Sequence, residues 1–467
     1  MALRSPLRRM IATGFVVPAI VAMHACASLP QPQGLDRTVP PAWRDNDARA
    51  DAQTGAAVPT WWSAFGDPDV EILVASALRQ NLSIAALGER VRAARLLAAH
   101  ARDPFRPTLS ISAAPAVNVE TTSSFYQAGF DARWELGLFG KEESSAQIIT
   151  ADADLAGVRA QGARVTLVAD VIRAYVGLRA AGARLDALDQ ALAAADRIAG
   201  LTRVLFRARQ VPAVEVSRAL DAGDELRSAR AGQLAMLAVH AQQLALLTGQ
   251  TEVDPRWLAE RRPLPLAARL EATPSDLLRF RPDIAEAEQQ VIRAAGDLGV
   301  ARAAMYPSLS LTGALGYSVR ISGTSATALH GLFAAGPVLD VPLFDWGLRR
   351  AVAAGRAAEL QAAVLTYRQS VLEGYAEAQS AISEFTAQGE RVAAARAILE
   401  RRVREAGATE QLAMTGHASQ LDAWMAQSRV LAARVELGNC EEASGNAFIA
   451  FYKAIGGAPP PDPLPVG

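Results

Sequence analysis

Asp131, Arg133 and Glu135 stand, with Gln127, Gly129 and Gly137, at alternate positions of a segment whose intervening members, Tyr126, Ala128, Phe130, Ala132, Trp134, Leu136 and Leu138, are apolar. On an extended chain successive side chains point to opposite faces. The three charges therefore share a face that requires water, and the apolar residues share one that avoids it. The other groups able to do chemistry are scattered. His24 lies near the N-terminus, and His100, His240, His330 and His417 are far apart without metal-ligand spacing, so no metal is expected. There is no nucleophile elbow and no phosphate-binding loop, and no enzymatic activity is expected. The 47 basic and 48 acidic residues are interleaved without a basic block, which leaves no footprint for nucleic acid.

Cys26 is the residue with an expected covalent chemistry. Arg4, Arg8 and Arg9 precede the apolar run "MIATGFVVPAIVAM", which is followed by His24, Ala25 and Cys26. A basic head, a short apolar middle and a small residue before the cut describe a secretory signal over residues 1–25. "MHAC" resembles a bacterial lipoprotein box, with Met23 where leucine is usual. That resemblance implies a covalent lipid on Cys26 and no other cofactor, and Ala27 behind it points to the outer membrane. The alternative is ordinary signal cleavage near Ala27. With Cys26 used by lipid, Cys440 has no disulfide partner and, in a helical pattern, reads as a small buried residue.

The elements that must position these residues come in two sets. Ile84-Ala85, Val91, Ala94 and Ala101-Arg102 recur about 200 residues later as Ile284-Ala285, Val291, Ala294 and Ala301-Arg302. "PTLSIS" (107–112) then falls on "PSLSLT" (307–312). "WELGLFG" (134–140) matches "LDVPLFD" (339–345), "RQVPAVEV" (209–216) matches "TGHASQLD" (415–422), and "LLTGQ" (246–250) meets "KAIGG" (453–457). Landmarks that keep their order at so long a period describe a duplicated half-protein, not a solenoid.

Each half opens with an amphipathic helical stretch, roughly 69–102 and 275–303, and continues into strict alternation. Leu109, Ile111, Val117 and Val119 alternate with Ser110, Ser112, Asn118 and Glu120, and "TTSS" turns the chain into the Asp131 segment. Leu309, Leu311, Leu315, Tyr317 and Val319 repeat the pattern, and a return arm at about 332–344 carries Pro337 and Pro342. No proline occurs between Ala116 and Val211 or between Leu343 and Ala458, so a very long helical hairpin follows each strand pair. The expected organisation is a signal peptide at 1–25, a tether at 26–60 and a first repeat at 61–250, with a β-hairpin at about 107–138 and a helical hairpin at about 140–250. A linker at 251–274 leads to a second repeat at 275–457, with a β-hairpin at about 307–344 and a helical hairpin at about 345–455, and a proline-rich tail at 458–467.

Four strands with one apolar face cannot close in a bilayer, where about eight is the smallest barrel. Either the strands avoid the membrane or several chains share one barrel. Here the sequence resembles the outer membrane factors of tripartite efflux pumps, in their lipoprotein branch. The resemblance is carried by "WWSAFGDPDVEILVASAL" (61–78), "WELGLFGK" (134–141), "RFRPDIAEAEQQVIRAAGDLGVARAAMYPSLSLTG" (279–313), "GPVLDVPLFDWG" (336–347) and "FYKAIGG" (451–457). It implies a mainly α fold with a transmembrane β part: a homotrimeric, twelve-stranded β-barrel, four strands per chain, continued by a long α-helical barrel. It also implies a passive exit duct for drugs, solvents or metals. A periplasmic adaptor would dock at the helical tips, coupled to an inner-membrane transporter of the resistance–nodulation–division class. Type I protein-secretion ducts share the fold and remain an alternative, as does a lipid-anchored periplasmic coiled-coil scaffold.

The resemblance selects the tips, Gln210, Val211 and Pro212 in the first half and Gly416, His417, Ala418 and Ser419 in the second, as adaptor-docking or gate residues. In that family the second tip often reads Gly-Val-Asp-Ser, with the aspartate narrowing the closed pore. Ala418 stands at that position here, so closure would use other residues. Asp131, Arg133 and Glu135 are expected to face the lumen, because an arginine turned outward at mid-bilayer costs several kcal/mol. Trp134, Phe139 and Trp346 lie where strands run into helices, as aromatic anchors or as ordinary packing.

Overall fold

Proline-free stretches set the longest elements. The computed structural model describes residues 60–118, 123–266, 280–320 and 330–457. The signal peptide, nearly all of the tether with Cys26, and the tail lie outside the described residues. In chain order the elements are α1 (Pro68–Gln80), α2 (Leu82–Ala99), β1 (Thr108–Asn118), β2 (Ser123–Glu135), α3 (Lys141–Arg207), α4 (Ala213–Leu247) and the short α5 (Pro255–Ala259). The second set is α6 (Pro282–Ala303), β3 (Ser308–Arg320), β4 (His330–Asp340), α7 (Leu348–Met414) and α8 (Gln420–Ala454). No single helix among the described residues is long and apolar enough to cross a membrane.

The helical stretch 69–102 is divided into α1 and α2, and one expectation, the end of the return arm, needs correction. Asn81 is extended (φ −67, ψ 117) and ends α1, and its Oδ1 accepts hydrogen bonds from the backbone N–H groups of Ser83 and Ile84, starting α2. The return arm ends at Asp340, opposite Ser308, short of the expected 344. β3 begins at Ser308 and offers no partner beyond it, and Pro342 could not donate to a ladder.

The duplication is metrical in the helices. α3 and α7 have 67 residues each, and α4 and α8 have 35. All four starts and ends are 207 apart, as in Lys141 and Leu348 (348 less 141). At about 1.5 Å per residue each long helix measures about 100 Å. β2 and β4 end 205 apart (340 less 135), so the second junction is two residues longer than the first. The equivalence also fixes the tips: Arg209 falls on Gly416 rather than Thr415 as the sequence match has it, at the same interval of 207 (416 less 209).

The chain divides into two compact units. One holds the sheet with residues 90–157 and 286–370. Its strand order is β1-β2-β3-β4, every pair antiparallel. Beneath it α6 crosses α3 closely, for a Cβ on Gly296 would lie 3.0 Å from the Ser144 carbonyl oxygen.

The other unit contains the main core. Trp61, Trp62 and Phe65, on a single turn before α1, pack with Ile172 and Tyr175 of α3, Leu244 of α4, and Phe448 and Ile449 of α8. Trp61 stacks on Tyr452 at 5.1 Å, and its Nε1 donates to the Gly457 carbonyl. Arg179, only 3% exposed, pairs with Asp67 at 3.0 Å and donates to the Tyr175 hydroxyl and the Arg262 carbonyl. A buried guanidinium tolerates burial only with such a full set of partners. Arg281 plays a similar part, bridging Asp283, Glu377 and the Ala454 carbonyl. Cys440 is buried, as its helical setting suggests, and burial raises its thiol pKa, leaving it unreactive.

Candidate functional site

The sheet separates two chemistries by register. One row places Ile111, Phe130, Leu315 and Phe333 side by side across the four strands. Neighbouring rows on that face add Leu109, Ala132, Gly313 and Ala335, then Trp134, Leu311 and Pro337. These apolar side chains are not covered. Ile111 is 74% exposed and Phe333 73%. Shape and composition therefore give the sheet an apolar surface that no described residue of its own unit buries.

The opposite face carries Asp131, Arg133 and Glu135, with Ser110 and Ala314 as cross-strand partners of Asp131 and with Thr108 and Thr312 as those of Arg133. Ser112 donates its hydroxyl to Asp131 at 2.6 Å, and Lys141 at the start of α3 pairs with Glu135 at 2.5 Å. At the junctions Phe139 and Trp346 are equivalent, with φ of 57 and 55. Phe139 stacks on Tyr306, whereas Trp346 is 90% exposed and meets the edge of Phe344. Trp134 donates its Nε1 to the Phe105 carbonyl at 2.9 Å.

The tips share one backbone solution. After α7, Gly416 adopts φ 79, its N–H bonds the Ala413 carbonyl, and the His417 N–H bonds that of Leu412. After α3, Arg209 adopts φ 58, its N–H bonds the Phe206 carbonyl, and the Gln210 N–H bonds that of Leu205. Both are left-handed caps that satisfy the last carbonyls of a helix. The restarts differ: Pro212 caps α4 without a side-chain bond, whereas Ser419 and Asp422 form a reciprocal capping box on α8. Ser419 donates its hydroxyl and backbone N–H to Asp422, which holds that carboxyl below the ordinary range. Ala418 contributes no charge, and His417 is exposed, its Nδ1 3.0 Å from the Thr415 hydroxyl.

Behind the tips, the helices are tied by side chains that sequence alone did not single out. Arg197 of α3 lies 4.4 Å over the Trp424 ring of α8, Arg230 of α4 pairs with Asp189 of α3, and Arg429 of α8 pairs with Glu405 of α7. Arg197 precedes the first tip and Trp424 follows the second, but nothing in their spacing marks them as partners.

A sheet with one uncovered apolar face, followed by paired 67-residue helices in two copies, has close counterparts. The model of the outer membrane efflux protein family matches residues 73–250 and 273–457. The chain belongs to the outer membrane efflux protein family. Similar proteins of the family include the pyoverdine export outer membrane protein OpmQ of Pseudomonas aeruginosa, 26% identical over 95% of this chain and 96% of its own. The toluene efflux pump outer membrane protein TtgF of Pseudomonas putida is 25% identical over 94% and 95%. Among solved structures, the outer-membrane channel OprN is 26% identical with a TM-score of 0.77, over 93% of this chain and all of its own. The Neisseria gonorrhoeae MtrE channel shares the fold, with a TM-score of 0.78 at 22% identity over 92% of this chain and 98% of its own. This outer membrane efflux protein is thus a mostly helical channel protein, with a four-stranded antiparallel sheet in each chain.

Proposed function

We propose that the protein is a passive exit duct for small molecules, built by three copies that close one twelve-stranded barrel in the outer membrane. One observation carries the reading: a four-stranded sheet exposes a continuous apolar face while β1 and β4, its outer strands, have no further partner among the described residues. In hydrocarbon such edges must pair, and copies of the same sheet supply the pairing. Asp131, Arg133 and Glu135 then line the water-filled lumen. The long helices of the copies form the tunnel leading to it. The tips, at Gln210 to Pro212 and Gly416 to Ser419, meet a periplasmic adaptor coupled to an inner-membrane transporter of the resistance–nodulation–division class.

Cys26 carries the lipid that tethers each copy, and the protein has no catalytic step. The relatives named for toluene and pyoverdine favour small cargo over secreted protein. A lipid-anchored coiled-coil scaffold would have no use for the apolar sheet face. The test is the mass of the protein extracted from the outer membrane in mild detergent, by light scattering corrected for detergent. A trimer supports the duct. A monomer leaves the strands unclosed and overturns it. Loss of labelled palmitate in Cys26→Ser, with the label present in the unaltered chain, tests the lipid.

A further inference from the structure

The two tips make the same turn with different residues. At the left-handed position the second tip has Gly416 and the first has Arg209. An L-residue pays about 1 kcal/mol there relative to glycine. The fold is served by glycine in one copy of the turn, so the arginine in the other answers to something outside the fold.

Its surroundings indicate what. From Arg197 to Val214 the sequence holds four arginines, Arg197, Arg203, Arg207 and Arg209, and no acid. Arg197 is engaged over Trp424. Among the described residues the side chains of Arg203, Arg207 and Arg209 have no hydrogen bond or ion pair, and all three are exposed. Elsewhere on these hairpins, Arg218, Arg227, Arg230 and Arg402 each hold a carboxylate. The free arginines flank uncovered apolar groups, Val204 at 59% exposure and Phe206 at 45%. Phe206, Arg207, Arg209, Gln210, Val211 and Pro212 enclose a shallow depression of about 620 Å³. The second tip offers no fixed charge from Gln411 to Leu421.

Arginines beside an exposed aromatic ring are the composition of a protein-binding hot spot. We infer, taking from the duct reading only that a periplasmic protein arrives at the tips, that the first tip is a basic knob fitted to an acidic protein surface. Arg207 and Arg209 pair with its carboxylates while Phe206 enters an apolar notch. A small anionic cargo would use the charges and leave Phe206 and Val204 in water, so a protein partner is favoured.

The test uses the full chain in mild detergent and fluorescently labelled poly-L-glutamate as the acidic probe, read by anisotropy at low and moderate salt. The unaltered protein binds, and binding weakens with salt. Arg207→Glu/Arg209→Glu weakens it by about tenfold or more, a loss of about 1.4 kcal/mol. Arg401→Glu/Arg404→Glu, on exposed arginines of α7, leaves it within about twofold. Arg209→Gly raises the melting temperature while lowering the binding. Equal loss in the two double variants overturns the knob. So does displacement of the probe by citrate at equal carboxylate concentration, which would mark a small-anion site. A monomeric mass would sink the duct reading and leave this contrast intact, so the two failures are distinguishable.

Discussion

His240 on α4 is packed against the backbone of Gly177 on α3, so closely that a Cβ there would come within 2.5 Å of its ring. Its Nδ1 is buried without a partner. The charged groups facing it are Arg184 of α3 and Glu442 of α8, themselves paired at 2.5 Å. Burial is the main reason its pKa lies below the ordinary 6.5; Arg184 pushes the same way and Glu442 opposes. The folded protein therefore resists protonation that the unfolded chain accepts. The contribution to stability is whole above pH 6.5 and is lost as pH falls from there toward the depressed folded value. Thermal unfolding should show a lower melting temperature at about pH 5.5 than at about pH 7.5, and His240→Gln should shrink that difference. An undiminished difference in the variant would assign the effect to other groups. Gly249 is a second residue fixed by its surroundings. At φ 73, a Cβ on it would lie 2.5 Å from the Gln80 carbonyl oxygen. Its counterpart Gly456, at φ 79, stands 2.8 Å from the Phe280 carbonyl oxygen by the same measure. Gly249→Ala should lose about 1–3 kcal/mol, measured by denaturant unfolding, from strain and backbone overlap together. A loss below a few tenths would mean the turn gives way freely.

At the scale of elements, the strands test themselves by face. Ile111 and Ser112 are adjacent on β1 and belong to opposite rows. Ile111→Arg would set a guanidinium in lipid, at about 2–4 kcal/mol near mid-bilayer, whereas Ser112→Arg would set it in the lumen beside Asp131. The first should deplete the folded, heat-modifiable band from the outer membrane fraction. The second should leave it near the unaltered level. Equal depletion would mean that the faces do not meet different solvents. The difference in polarity between the faces is also why the strands were legible: period two is imposed wherever one face is apolar and the other polar. The long helices were legible by the absence of proline, and their ends fell near the breaks in pattern. The division at Asn81 was not, because an asparagine that ends one helix and caps the next interrupts the apolar spacing by a single residue. The equivalence of Arg209 with Gly416 was hidden in the same way. The local match favoured Thr415, and only the equal helix lengths place arginine and glycine at one backbone position.

For the whole molecule, duplication and closure are one problem. Each half supplies two strands, and the order β1-β2-β3-β4 joins the halves through β2 and β3 while leaving β1 and β4 outermost. These outer strands carry some of the most exposed apolar side chains, Leu109 at 73% and Leu339 at 62%, so the open sheet is as unsuited to water as its edges are to lipid. Pairing β1 of one copy with β4 of the next removes both difficulties, and repeating it around a closed ring leaves no edge. The pairing can be trapped. A cysteine at Ser112 and another at Ala334, Gly336 or Val338 lie on the polar faces of the two outer strands, and in one of the three variants they should meet between copies. Within one chain β2 and β3 separate them, so an oxidised product must join copies. On a denaturing gel the linked species should climb to three copies and stop, because the third link returns to the first copy. A ladder that continues would describe an open filament of strands, and no ladder in any variant would mean the outer strands find partners elsewhere.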